Sequence, residues 1–314
     1  MASNTSNITH YLKSEDWMFV PASHCIPWLA VLGTVCLAIV ILNSISIIIF
    51  AKQRRLQRKS TYLVIHLAIV DLLVGAVTGT LRIKLNGSLA CHLWGNDMPN
   101  RICKWLLYHI DKVSLLKLAF ISLERTHATF CPFKHRFVKK WVYGVVIVVT
   151  WLVPVIMISM VSGLSILNRD IITMFWVYLL YTSILLLVIF VCYVSIYIKV
   201  RCGRFAQLHG AAGLRERKLT STMFLVTFGS FLTFLPSIVC YGVLVFDLKL
   251  LLSLSITSRF HYEMAMTTFF LFNSLINPII YAIRMPEFRA GMLQIIFRRT
   301  PRRLHPVNIP LQDR

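Results

Sequence analysis

Asp71 ends the run Leu67-Ala68-Ile69-Val70-Asp71, an acid set deep in an apolar stretch, and Glu124 stands directly before Arg125 at the end of another. A carboxylate among aliphatic side chains needs a cation, a proton or several hydrogen-bond donors, because an isolated buried charge is expensive. Between these two acids one stretch carries Asp111, Lys112, Ser114 and Lys117. At about 100° per residue of helix, Leu107, Asp111, Ser114, Leu118 and Arg125 share a face, while Lys112 and Lys117 point elsewhere. Asp111 and Lys112, as helix neighbours, do not face each other. Lys117 reads as a structural lysine bonded to a neighbouring helix.

Catalysis finds no such constellation. Of the ten histidines only His66 and His109 lie well inside apolar spans, with no cysteine or acid at ligand or nucleophile–base spacing beside them. The expectation is a protein without catalytic residues or a bound cofactor, and not an enzyme.

The elements that must position these groups are membrane helices. Hydrophobic residues make up 57% of the 314-residue chain and charged residues only 14%, with a mean hydropathy of +0.70. Seven runs are long enough to cross a hydrocarbon core of roughly 30 Å, approximately Pro27–Ala51, Thr61–Lys84, Ile102–Phe130, Trp141–Leu164, Ile171–Val200, Lys218–Phe246 and Phe260–Ile283. The fold class expected is an all-α membrane protein, a seven-transmembrane helix bundle with a short amphipathic eighth helix. Its parts are an extracellular N-terminus (1–26), the helix bundle (27–284), helix eight (285–298) and a disordered cytoplasmic tail (299–314).

The net charge of +21 does not point to nucleic acid, because 23 of the 33 Lys and Arg fall in alternate loops and the tail, on one side of the seven spans. The positive-inside rule places that side in the cytoplasm and the N-terminus outside. The first 25 residues lack the profile of a cleavable signal peptide, so the first span directs insertion. Asn4 and Asn7 head N-glycosylation triplets there; Asn86 heads a third, close to the bilayer. Asn43, alone among Ile, Val and Leu, should face other helices. Pro236 should kink the sixth span, and Pro286 to Phe297 reads as a helix on the inner leaflet.

Taken in order, Asn43, Asp71, Glu124-Arg125, Trp151, Tyr193, Pro236 and Asn277-Pro278-Ile279-Ile280-Tyr281, with Phe288 seven residues on, resemble the rhodopsin-like (class A) G-protein-coupled receptors from about Pro27 to Phe297. The resemblance implies a switch. Arg125 would pair with Glu124 and Glu216 at rest; on activation helix six would swing out about Pro236, and Tyr193 and Tyr281 would move toward Arg125. Phe234 stands where the family's toggle tryptophan usually does, and Pro278 lies within the NPxxY run. Arg125, Pro132 and Phe133 would contact a heterotrimeric G protein. Asp71, Ser114, Asn273, Ser274 and Asn277 match the residues lining the family's sodium pocket; an allosteric sodium ion and a water-filled network around a protonated Asp71 are the two readings. Cys25, Cys91 and Cys103 offer three extracellular pairings, of which Cys91–Cys103 is the expected disulfide. Thr126 replaces the usual tyrosine, and the second extracellular loop has no cysteine. That loop and a fifth span without proline are similar to the branch holding melanocortin, lysophospholipid, cannabinoid and adenosine receptors.

The resemblance also narrows the ligand. Leu271 stands where an opsin carries its Schiff-base lysine, and Leu107 where amine receptors carry an aspartate, so a photopigment is excluded and amines are disfavoured. Helical phase lines the outer pocket with Arg82, Lys104, Leu107, Tyr108, Asp111, Tyr241, Glu263 and Thr267. Arg82, Lys84, Arg101 and Lys104 make one wall basic, suited to a carboxylate or phosphate, or to lipid phosphates and neighbouring acids. Peptide, lipid and small-molecule ligands stay open. The partners expected are such an extracellular ligand, a G protein and membrane lipids, at the plasma membrane. A solute transporter is the alternative; it would show inverted repeats and matched broken helices, which are not found in the sequence. If Arg125 is tied to helix six, Glu216→Ala raises basal signalling; unchanged nucleotide exchange in a well-expressed variant would argue against that tie.

Overall fold

The computed structural model describes residues 19–53, 61–95, 100–168, 171–202 and 253–297 and, between the last two blocks, residues 225, 228–236, 238–239, 242–243 and 246. Regular structure among them is helical throughout. Helix α1 spans Ala22–Lys52, α2 Thr61–Ala90, α3 Asn100–Phe130, α4 Lys140–Asn168, α5 Ile171–Cys202, α7 Ile256–Arg284 and α8 Pro286–Phe297, while α6 is described over residues 228–236. A short helix, Pro132–Phe137, follows α3, with proline at its first position, where no amide hydrogen is needed.

Helices α1, α2, α4, α5 and α7 are long and apolar enough to cross a membrane. Helix α3 has the length, 31 residues or about 46 Å at 1.5 Å per residue, but not the uniform apolarity. It is tolerated in the bundle because the cations in its middle and inner part are turned inward: Lys112, Lys117 and Arg125 are all buried. It packs against α2, α4 and α5, and α1 packs against α2 and α7. Lipid-facing positions fall on the outer helices, as with Leu37 of α1, Ile156 of α4 and Leu187 of α5, each more than half exposed in the isolated chain. Those three residues have no polar atoms for a hydrocarbon solvent to leave unsatisfied.

Two features of α2 set what it presents to its neighbours. It contains π-helical turns at Val74–Gly79 and Asn86–Ala90, which change the phase of everything beyond them. It also approaches α1 closely: a Cβ on Gly79 would overlap the Cys36 sulfur. The second turn carries α2 beyond Lys84, the expected end, and engages Asn86, whose Nδ2 donates to the Arg82 carbonyl at 2.9 Å. At the other end of the bundle, α8 turns off α7 at Met285 and buries Phe288 against Tyr281 and Phe50, with ring centroids at 5.7 and 5.3 Å. Leu293, Ile296 and Phe297 stay exposed.

The expected Cys91–Cys103 disulfide is corrected. Cys91 pairs with Cys25, Cα atoms 6.0 Å apart across 66 residues of sequence. Helix α1 begins at Ala22, earlier than expected, which sets Cys25 in its first turn at the rim of the bundle; Val20 N donates to Ala90 O at 2.9 Å and draws the two segments together. Cys103 takes no part in that disulfide and is buried with Leu85 and Leu107 between α2 and α3. Non-reducing digestion should therefore yield a Cys25-containing peptide joined to a Cys91-containing one. Cys103→Ser should leave that cross-linked mass intact, and Cys25→Ser should abolish it.

Candidate functional site

Three polar centres are strung along α3. The middle one is built on Asp71, whose carboxylate is fully buried. Its Oδ1 accepts from Lys117 Nζ at 2.5 Å and from Ser274 Oγ at 2.9 Å, and its Oδ2 accepts from Asn277 Nδ2 at 2.6 Å. Lys117 Nζ reaches the Leu67 carbonyl as well, at 3.4 Å. Asn43 ties α1 to the same place, donating to the Ser274 carbonyl at 3.1 Å. Lys117 thus bonds a neighbouring helix, as expected of it, and the cation required by Asp71 is part of the chain. Breaking such a buried pair by removing one partner typically costs about 3–5 kcal/mol.

Of the five residues expected to line a sodium pocket, Asp71, Ser274 and Asn277 meet in one hydrogen-bonded network, and Ser114 and Asn273 are buried as well. They do not fit a sodium ion as they stand. The carboxylate that would be its anionic ligand already carries an ammonium, and two more donors occupy two of its three remaining lone pairs. Ser114 Oγ and both side-chain polar atoms of Asn273 lie buried with no hydrogen-bond partner among the described residues.

The inner centre is Arg125, whose Nε donates to Glu124 Oε2 at 2.5 Å. Glu124 also bonds His135 from the short helix after α3, Oε1 to Nε2 at 2.9 Å, and the Tyr143 hydroxyl of α4 lies 3.4 Å from that same nitrogen. His135 was not anticipated from sequence. The only available signal was its placement three residues after Pro132, where a helix restarting at the proline turns it back toward α3. Phe133 on that helix is 78% exposed. Pro132 is half-buried, Tyr193 and Tyr281 are buried, and Pro278 is enclosed within α7. Phe234 packs edge-on to Phe270, centroids 5.9 Å apart, two residues before the half-buried Pro236. Glu216 lies outside the described residues.

At the outer centre Arg82 bridges three helices. Its Nη2 meets Asp111 Oδ2 at 2.7 Å, its Nη1 meets Thr267 Oγ1 at 3.4 Å, and its guanidinium carbon stands 5.8 Å from the centre of the Phe270 ring. Tyr108 stacks on Tyr178 of α5 with centroids 5.4 Å apart. Lys112, one position beyond Asp111, turns the other way and places its Nζ 5.0 Å from the Tyr178 ring centre and 3.4 Å from Thr182 Oγ1. Leu107 packs into the small cluster with Cys103 and Leu85, and Glu263 is exposed. The Lys104 side chain and Tyr241 lie outside the described residues, as do Asn4 and Asn7.

The pattern of the 7 transmembrane receptor (rhodopsin family) matches residues 42–281, a stretch that contains all three centres. The chain belongs to that family. It is accordingly a multi-pass membrane receptor with a seven-helix bundle that couples an extracellular ligand to a G protein, and not an enzyme. It is similar to lysophosphatidic acid receptors 1-B and 1-A of Xenopus laevis, each 25% identical over 288 residues, covering 84% of this chain and 74% of theirs. Lysophosphatidic acid receptor 1 of Bos taurus is 26% identical over 293 residues, with the same shares covered.

In this receptor Glu124 is shared between Arg125 and His135, so neutralising it releases two contacts at once. Glu124→Gln should raise ligand-independent nucleotide exchange on a G protein by about fivefold, the effect of roughly 1 kcal/mol on a two-state balance. His135→Ala should raise it less, and a Glu124→Gln receptor with unchanged basal exchange at equal surface expression would contradict the restraint.

Proposed function

We propose that the protein is a plasma-membrane receptor, N-terminus outside, whose extracellular ligand presents a phosphate or carboxylate to Arg82. The observation that carries this reading is the position of Arg82 itself. A guanidinium held between α2, α3 and α7 offers paired donors to a planar or tetrahedral anion, and an anion arriving there changes the contacts of all three helices together. Lys84, and Arg101 and Lys104 by their place in the sequence, add positive charge to the same end. Relatives named for lysophosphatidic acid support a phosphate-bearing lipid as the first class to try. An N-terminus on the outside would also make Asn4 and Asn7 available for glycosylation.

Asp111 already neutralises Arg82, so an anionic ligand competes with it. Binding would loosen the Arg82–Asp111 pair and bias the bundle toward a second packing, which the ligand must prefer in order to populate it. In that packing Arg125 leaves Glu124, α6 moves outward about Pro236, Tyr193 and Tyr281 close toward Arg125, and the cytoplasmic cleft admits the G-protein α subunit beside Pro132 and Phe133.

The charges give the test a sign. With a panel of lysophospholipids and long-chain carboxylates applied to expressing cells, Arg82→Ala should lower agonist potency by about a hundredfold, the worth of a desolvated charge-assisted contact. Asp111→Asn should hold or raise potency, because it removes the competitor. A cationic ligand would reverse the order, with Asp111→Asn abolishing the response and Arg82→Ala sparing it, and that result would overturn the reading.

A further inference from the structure

Lys117 lies in the interior, away from the ligand-facing Arg82 and the transducer-facing Arg125, yet it is the group nearest the most buried carboxylate of the bundle. Its Nζ stands 2.5 Å from Asp71 Oδ1, and the two side chains are 1% and 0% exposed. At that depth a carboxylate must be compensated, and here the compensating charge is covalently attached to α3.

We propose that Lys117 is a built-in counter-ion that takes the place a mobile sodium ion would occupy at Asp71, so that the resting packing of this receptor is held without sodium and does not respond to it. The oxygen-bearing residues on the same stretches of α3 and α7 support the substitution. Ser114 Oγ, one turn before Lys117, and Asn273 Oδ1, beside Ser274, have no hydrogen-bond partner among the described residues, and Ser274 Oγ lies 2.9 Å from the carboxylate. Carboxylate, hydroxyl and amide oxygens are the ligands a small hard cation selects. Residue types that can ligate a metal ion are therefore present in this core, and what excludes the ion is the ammonium standing on their anionic member. The lysine also does what a diffusible ion does not: it joins α3 permanently to α2, and through Ser274 and Asn277 on the same carboxylate to α7.

Two consequences follow for a chain lacking the ammonium. The carboxylate would be left uncompensated, and the oxygens would be free to accept a cation from solution. Lys117→Ala or Lys117→Met should thus convert a sodium-indifferent receptor into a sodium-binding one, a gain of function not expected of a lysine that merely fills space. The inference stands on the family's fold and this pair, not on the ligand class proposed for Arg82, so the two can fail separately.

The test is the thermal melting of the purified, ligand-free receptor in sodium chloride against choline chloride at equal ionic strength, about 150 mM. The wild type should melt within about 1 °C in the two salts. Lys117→Ala and Lys117→Met should melt lower in choline and recover by about 3 °C or more in sodium, saturably, as expected for an ion that binds only the folded state. The double variant Asp71→Asn with Lys117→Met, which has neither charge, should again be indifferent to sodium. A sodium-specific rise in the wild type, or a folded Lys117 variant that ignores sodium, would overturn the proposal. If neither single variant can be recovered, the wild-type comparison decides: indifference to sodium upholds the assignment and a sodium-specific shift defeats it.

Discussion

The carboxylate of Asp71 is the point at which α2, α3 and α7 are held to one another. A charge in the centre of a lipid-embedded bundle has no water to fall back on, so its partners must come from the helices around it. Lys117 supplies the charge, while Ser274 and Asn277 supply the remaining donors. Each helix that contributes is fixed in rotation and depth by doing so: α3 cannot turn without withdrawing Lys117, and α7 cannot slide without breaking two bonds. Asn43 extends the constraint to α1 through the Ser274 carbonyl. A bundle with no hydrophobic drive between its helices depends on contacts of this kind, together with close approaches such as that of Gly79 to Cys36.

That constraint explains why α3 can be so polar. Charged side chains would be excluded from a helix facing lipid, but from Asp111 onward each is turned to a group that uses it: Asp111 to Arg82 of α2, Lys112 to the aromatic side chains of α5, Lys117 to Asp71, and Arg125 and Glu124 to each other. The surrounding helices then carry the lipid-facing aliphatic surface and can be nearly featureless in sequence. That holds for their outer faces; the inner faces, with Asp71 and Arg82 of α2 and Ser274 and Asn277 of α7, record what they touch, as α3 does.

Sequence made the helices legible because apolar length is a local property, and it identified Asp71, Arg125 and Arg82 because charge in an apolar run is conspicuous. Helical phase placed Arg82, Asp111 and Thr267 together, and they meet. Pairing between distant elements was harder. The disulfide depended on α1 beginning at Ala22 and on a backbone bond from Val20 to Ala90, neither of which is written in the spacing of the cysteines. Phase put Lys117 off the face shared by Asp111 and Arg125, and a four-carbon stem carries its ammonium to Asp71. His135 escaped notice because its role depends on how the chain turns after Cys131, a residue outside any helical pattern. His66 and Trp151 were each conspicuous in sequence, but the bond of 3.0 Å from the indole to the imidazole joins α2 to α4 and has no local signature.

The three centres share α3, and this limits how a signal can pass between them. Asp111 and Arg125 are fourteen residues apart, about 21 Å along the axis, too far for direct electrostatic influence to outweigh local pairs. The helix between them is continuous and without proline, so a rotation or shift imposed at Asp111 reaches Arg125 only by moving Lys117 as well. A diffusible ion in the middle could be expelled and its site collapsed, leaving the helices to rearrange. A tethered ammonium cannot leave: it must find another acceptor within reach of its stem or resist the motion. The Leu67 carbonyl, 3.4 Å from the ammonium, is one such acceptor. The physical consequence is that the middle of this receptor acts as a latch with a fixed inventory of charge, whose two positions are set by side-chain reach rather than by the composition of the medium outside.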